Sequence, residues 1–471
     1  MAHQHTLEKI GGTSMSRFGE ILRNIFLGNR TEAEMYHRIF VVSAYGGITN
    51  LLLENKKTGA PGVYGKFSAG DPTWNATLEE VRARMKEINH GFVGLGLDQK
   101  KADAFVDERV DGIHDYLLHL ESVRAFGMFQ TKPLLQATRE LLSSIGESHS
   151  AFNSVEILKK NGVNAVLVDM TGWKDEKLYS FDEAVRRAFD GLDFGRCLPI
   201  ATGYVKYDEG IMSRFDRGYS EITFSKVAVI TKAREGIIHK EYHLCTGDPK
   251  LIGEDKVRVI GHTNFDIADQ LSDLDMEAIH SKASKDMELC GIPIRVKNAF
   301  DPEHPGTLIS NDYISPNPRV EMICGRNDVI AIEIMDPEMV SRPGYDYHVL
   351  QSFVETDISY IAKNTNANTI THFVAQKNRR LDECVRLIQS RMPSASVRRF
   401  PVALVSVIGT NMSIPGFLSR AADALRLANI NVLALSQSTR QVNMQFVVDR
   451  RDFEAAQLAL HRAFVEEIPA V

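Results

Sequence analysis

Thr6-Leu-Glu-Lys9-Ile-Gly11-Gly12-Thr13-Ser14-Met15 is the stretch on which the reading of the fold turns. Thr6 to Ile10 is short, partly apolar and compatible with a β-strand, and two glycines and two hydroxyl residues follow it. Apolar residues then fall at Met15, Phe18, Ile21, Leu22, Ile25 and Phe26, the spacing of one helix face. The order is therefore strand, Gly-Gly turn, helix. Glycines let a ligand approach the backbone, helix N-termini present unpaired N–H groups, and Lys9 adds a full charge, so a phosphate is a natural ligand here. A plain βα turn with Lys9 as a solvated edge residue fits the stretch equally well.

Outward from this stretch the logic repeats. Ile39 to Ser43 reads as a buried parallel strand, and Ser43-Ala-Tyr-Gly46-Gly47-Ile-Thr49-Asn50 is a second glycine-rich turn before apolar Leu51-Leu-Leu53. Two such turns point to a shared ligand at the carboxyl ends of neighbouring strands. Two other glycine clusters do not qualify. Gly59 to Phe67 lacks Walker spacing and its hydroxyl, and Gly91 to Gly96 lacks a preceding strand and a third glycine in place; both are expected as loops.

The 471 residues suffice for two or three domains. A net charge of −6 gives no nucleic-acid footprint. Five scattered cysteines without a Cys-x-x-Cys pair argue for a reducing compartment and against a structural zinc site. No metal-ligand set is expected. No apolar run approaches membrane-spanning length, so the expectation is a soluble, cytoplasmic protein without a membrane partner.

Further along, Trp74 to Ala125 is helical by pattern. A helix from Leu134 to Ile145 is expected to stop at Gly146-Glu147-Ser148-His149-Ser150, and a second to end at Asn161-Gly162. Glu147 then reads either as a site residue or as a first-turn carboxylate favoured by the helix dipole. Strands are expected at 164–169, 198–203, around 238 and at 291–298, and a surface hairpin at Asp208 to Ser213. Arg217-Gly-Tyr219-Ser220-Glu221 precedes an apolar run that reads as a buried helix, though its periodicity also allows a strand; a guanidinium fork and a serine there could clamp a carboxylate or phosphate, or be a solvated arginine and a capping serine. From Arg319 onward short strands and helices alternate in an internal repeat of βαββαβ pattern.

Lys9-Ile-Gly-Gly-Thr-Ser14, Ser43 to Asn50, Gly146-Glu147, Arg217 to Glu221, Thr246-Gly-Asp-Pro249 and Val296-Lys-Asn-Ala-Phe300 with Pro305-Gly-Thr-Leu-Ile309 occur in that order. In this the whole chain resembles the aspartate kinases of the amino-acid kinase superfamily. The opening motif and Arg217-Gly-Tyr-Ser-Glu221 most resemble the type associated with ectoine synthesis. The resemblance implies an α/β catalytic domain over 1–315, an open sheet sandwiched by helices, then α+β ACT-like domains over 320–398 and 399–471. It implies transfer of the ATP γ-phosphoryl group to the β-carboxylate of L-aspartate, with Mg²⁺ arriving with ATP.

By resemblance, Lys9 acts on the transferring phosphoryl group and Glu221 orients Lys9. Gly11, Gly12 and Ser14 face the phosphates. Ser43, Thr49, Glu147, Arg217 and Ser220 face the substrate aspartate, and His239, Lys240 and Lys250 belong to the nucleotide side. The chain departs from the family at Tyr219 (usually glycine), at Glu221 (usually aspartate) and at His239-Lys240 (usually Thr-Asp), while Glu277 stands where a nucleotide lysine is usual. The ACT-like pair implies an amino-acid effector, with contacts in the loop from Met335 to Gly344 and at Asn366 to Thr369, and a homodimer or higher oligomer. A related kinase acting on glutamate would not be expected to carry the carboxyl-terminal pair. A non-catalytic amino-acid sensor would tolerate loss of Lys9, which is intact.

Overall fold

In the computed structural model the described residues run from 5 to 467, apart from 129, 216, 217, 273, 275–278 and 280. They form two units, one from residues up to 243 together with 279–311, the other from 244–278 together with 312 onward.

The first unit is a parallel sheet with helices on it. Its strands are β1 (Thr6–Ile10), β2 (Arg38–Val42), β3 (Ala165–Val168), β4 (Leu198–Thr202), β5 (Glu235–Lys240), β6 (Ile294–Asn298) and β7 (Thr307–Ser310). They lie in the order β3-β4-β2-β1-β5-β6-β7, parallel except for the β6–β7 pair. β1 and β2 are buried along their whole length, which explains their continuous apolar character. Lys9 is therefore on a central strand, and the solvated-edge reading of it fails. Met15, Phe18, Ile21, Leu22, Ile25 and Phe26 are all buried, as the helical spacing requires.

Two expectations are corrected here. The stretch from Thr131 to Lys160 is one unbroken helix, so Gly146 to Ser150 lies in mid-helix and Glu147 is not a first-turn residue. Serines usually weaken a helix interior because their hydroxyls compete for backbone groups. Here Ser143, Ser144, Ser148, Ser150 and Ser154 donate to carbonyls of the preceding turn, which leaves the ladder intact. His149 and Asn153 meet Asn89 of the helix Trp74–Gly91, at 2.6 and 2.8 Å. Burial holds His149 neutral, its pKa lowered to about 3. The second correction is the hairpin at Asp208 to Ser213, where a turn leads instead into the helix Ile211–Phe215.

The second unit contains a six-stranded sheet. Its strands are β8 (Met322–Met335), β9 (Tyr360–Thr365), β10 (Thr369–Ala375), β11 (Ser396–Ile408), β12 (Val432–Gln437) and β13 (Asn443–Asp449), in the order β9-β10-β8-β11-β13-β12. One core gathers Ile332, Ile334, Val349, Phe353, Cys384 and Ile388. Another gathers Ala403, Val405, Val407, Leu425, Phe446 and Leu460, but also Val320 and Ile323 from ahead of the first. The repeat is thus nested rather than tandem, because β8 and β11 are each long enough to serve both cores. Among the described residues no helix is long and apolar enough to cross a membrane.

Candidate active site

The carboxyl ends of β1, β2, β4 and β5 converge, the place where open α/β sheets bind ligands. Lys9 is buried there and donates from Nζ to Glu221 Oε1 at 3.1 Å. Glu221 stands in the first turn of the helix Tyr219–Thr231, where the dipole favours a carboxylate. Lys240, at the end of β5, brings a second ammonium to 4.0 Å from the same oxygen. Two ammonium groups thus approach one carboxylate oxygen.

Gly11 and Gly12 differ in their surroundings. A Cβ on Gly12 would stand 2.6 Å from the carbonyl oxygen of Ala44, so this turn packs directly on the second glycine-rich turn. A Cβ on Gly11 would meet nothing, so its backbone borders open space. Ser14 donates from Oγ to Glu241 Oε1 at 2.8 Å. Ser43 lies 3.3 Å from Ser220, hydroxyl to hydroxyl, which joins the end of β2 to the start of the helix Tyr219–Thr231. Thr49 sits in the short helix Ile48–Leu52 that follows Gly47, whose φ of +88° only glycine adopts readily.

Glu147 comes to this place from mid-helix. Gly146 makes that possible, since a Cβ on it would stand 2.7 Å from the Ala44 side chain. Glu147 is 3% exposed and its Oε2 meets no hydrogen-bond donor among the described residues. Burial pushes its pKa up to about 8, against the pull of Tyr219, Lys9 and the backbone at Tyr204 and Ala44. Gly203 after β4 is forced by the same group, because a Cβ there would fall 3.0 Å from both Glu147 oxygens. A cavity of about 420 Å³ opens on the β3–β4 side, lined among others by Glu140, Ser144, Tyr204 and Ser213. The Tyr204 ring packs edge-on against Tyr219 and its hydroxyl donates to Glu140.

One expected residue falls on the other face of the sheet, and others belong to the second unit or lie outside the described residues. His239 points to the opposite side, where its Nε2 donates to Glu8 at 2.7 Å in a buried cluster with Arg38. Neighbouring residues of a strand face opposite ways, so Lys9 and Glu8 divide the two sides of β1 between them. Lys250 is exposed on the four-residue helix Pro249–Ile252 of the second unit. Arg217 and Glu277 lie outside the described residues. Reading the sequence alone missed Glu241, the partner of Ser14, and Gly203. Both follow strand ends, and that position is the only signal that could have marked them.

Among the described residues no group of three or more His, Cys, Asp or Glu is arranged to hold a metal. The oxygen set that suits a hard cation beside bound phosphates is Ser14 with Glu241.

A lysine–carboxylate pair thus stands under a glycine turn at the carboxyl end of a parallel sheet, near a buried glutamate with one oxygen lacking a donor. Residues 5–298 match the amino acid kinase family and 405–464 match an ACT domain. The chain belongs to the amino acid kinase family. It is 48% identical to "Aspartate kinase Ask_Ect" of Stutzerimonas stutzeri over 98% of both chains. It is 25% identical to "Aspartokinase 1, chloroplastic" of Arabidopsis thaliana over 91% of this chain and 75% of that one. Aspartokinase III of E. coli, solved in complex with aspartate and ADP, shares the fold with a TM-score of 0.73 at 19% identity, covering 98% and 99% of the two chains.

Proposed function

We propose that the enzyme is an aspartate kinase that transfers the γ-phosphoryl group of ATP to the β-carboxylate of L-aspartate. The observation that carries this reading is the buried Glu147, whose Oε2 lacks a donor, near the Lys9–Glu221 pair. An amino-acid substrate brings an ammonium, which is the partner Glu147 lacks. Its reacting carboxylate is already ionised at neutral pH, so the chemistry needs no strong base. Positioning and charge neutralisation remain to be supplied.

Lys9 stabilises charge on the transferring phosphoryl group, with Glu221 fixing its direction and Lys240 as a second cation. The open side of Gly11 admits the phosphates, Ser43 and Ser220 donate to the substrate, and Thr49 stands beside them. Arg217 clamps the substrate α-carboxylate. Mg²⁺ enters with ATP and neutralises phosphate charge when bound, keeping several waters, with Ser14 and Glu241 as the nearby protein oxygens. The suffix in the name of the 48% relative agrees with the ectoine-type expectation.

The second unit is the regulatory part in this reading. Its two expected effector segments are tied together, since Asp336 N–H donates to the carbonyl of Asn368. Aspartokinase III of E. coli has also been solved in complex with lysine and aspartate. A homodimer formed through the second unit accompanies this role and is read by sedimentation of the full chain.

ADP release with ATP·Mg²⁺ is the test, measured across a panel of acidic amino acids with hydroxylamine trapping the acyl phosphate. Aspartate should give the hydroxamate and glutamate should not. No hydroxamate from aspartate overturns the reading. Lysine, threonine and methionine added singly and in pairs to the same assay report the effector.

A further inference from the structure

At the end of the first unit's sheet opposite Lys9, the starts of β1, β2 and β5 frame a second cavity of about 770 Å³. Thr6, Arg38 and Arg234 mark those three strand starts, and Arg23, Arg30 and His37 complete the basic part of the wall. None of these residues enters the phosphoryl-transfer site.

The cations are packed in an unusual way. Arg38 is buried, donates to both Glu8 oxygens, at 2.7 and 3.2 Å, and to the Ile25 carbonyl at 2.6 Å. Arg30 donates to that same Ile25 oxygen at 3.0 Å. Two guanidinium groups therefore converge on one carbonyl oxygen. Glu8 is already shared between Arg38 and His239, and Glu34 is engaged in capping the helix Glu32–Met35 through Thr31. Among the described residues no carboxylate makes an ion pair with Arg23, Arg30 or Arg234, although Glu303 also stands on the wall. Burial and the nearby Arg38 disfavour charge on Arg30, and outweigh the opposing pull of Glu8 and Glu34.

The backbone is shaped to hold this arrangement. Gly28 has φ +56°, and a Cβ on it would fall 2.2 Å from the Arg30 guanidinium. The Gly28-Asn29-Arg30 turn thus folds the arginine head back into the cavity, and a side chain at 28 would expel it. His37 holds a φ of +57°, a strained value for a non-glycine residue, immediately before β2. A partly buried guanidinium beside a second one, its Nη1 donating only to the carbonyls of Ile25 and Leu27, is costly unless a negative partner arrives. Guanidinium forks match the paired oxygens of phosphate and carboxylate.

From this juxtaposition we infer that the amino end of the sheet is a second ligand site, which binds a multiply charged oxyanion between Arg23, Arg30 and Arg234. The volume exceeds that of a bare phosphate, so the ligand class is a metabolite with a phosphate or dicarboxylate head group. The inference is independent of which amino acid the kinase phosphorylates.

The test uses the full chain and inorganic phosphate, with citrate as a polycarboxylate arm and chloride at matched ionic strength as control. Saturating ADP is present throughout to occupy the nucleotide site. Thermal unfolding should shift upward with phosphate or citrate in the wild type, since a ligand that binds only the folded state stabilises it by mass action. Whichever arm gives the larger shift names the head group. Arg30→Gln should weaken the apparent affinity at least tenfold. The exposed pair Arg23→Gln with Arg234→Gln carries the same test should Arg30→Gln fold poorly. Equal shifts in wild type and variants, or no shift beyond chloride, overturn the site.

Discussion

Glu8 and Glu147 are two glutamates of the first unit, each 3% exposed, and they have opposite fates. Glu8, on β1, receives Arg38 and His239, and these hold its carboxyl well below the ordinary range against the cost of burial. Glu147, on a helix, has one oxygen without a donor, and burial raises it to about 8. Depth is the same in both, so depth does not separate structure from function here; partners do. A buried charge that is fully paired belongs to the fold, and one left waiting belongs to a ligand.

The strongest way to break this contrast is at Lys9, which lies next to Glu8 in sequence and faces the other way. Lys9→Ala should lower turnover by about a thousandfold or more, while leaving unfolding midpoints almost unchanged. Near-normal turnover in a folded variant would remove Lys9 from the chemistry. Glu8→Gln should do the reverse. It strands Arg38 without its counter-charge, so stability should drop by about 3 kcal/mol in urea unfolding, while the turnover of the folded fraction stays close to wild type. A Glu8→Gln protein as stable as wild type would mean that the cluster contributes nothing.

Glu147→Gln sharpens the comparison through pH. The folded state keeps a proton on Glu147 that the unfolded chain releases above about 4.5, so raising the pH from there to about 8 favours unfolding. Without substrate, wild-type stability should therefore fall across that window by roughly 5 kcal/mol more than that of the variant. Parallel curves would show that Glu147 ionises normally. In kinetics the same variant should raise the aspartate KM about tenfold with ATP affinity unchanged, because only the amino-acid ammonium loses its partner.

Much of the sheet was legible because its signals were local. The unbroken apolar run of β2, the two glycine turns and the face from Met15 to Phe26 each follow from a few neighbouring residues. The helix Thr131–Lys160 was not, because a Gly-Glu-Ser-His-Ser segment reads as a break. Whether serines bond back to their own helix and a glycine packs on Ala44 is decided by tertiary neighbours. His239 shows the same limit. Counting motif positions put it with the nucleotide, but its partner Glu8 lies 231 residues away in sequence. The nesting of the two cores was hidden for a comparable reason, since strand length sets it and apolar periodicity says little about where a strand is shared.

That nesting bears on how the second unit can be exchanged between relatives. The ladder between β8 and β11 is irregular between Val402 and Leu404, opposite the step from Arg326 to Val329. One core closes on one side of this seam and the other core on the other side. A chimaera joined at a single crossover near residue 399 would mix parents inside the outer core, which takes Val320 and Ile323 from before the join and Ala403 to Val465 from after it. Two crossovers, one at each side of the seam, would transplant the inner module whole and leave the outer one continuous from Val320 to Val465.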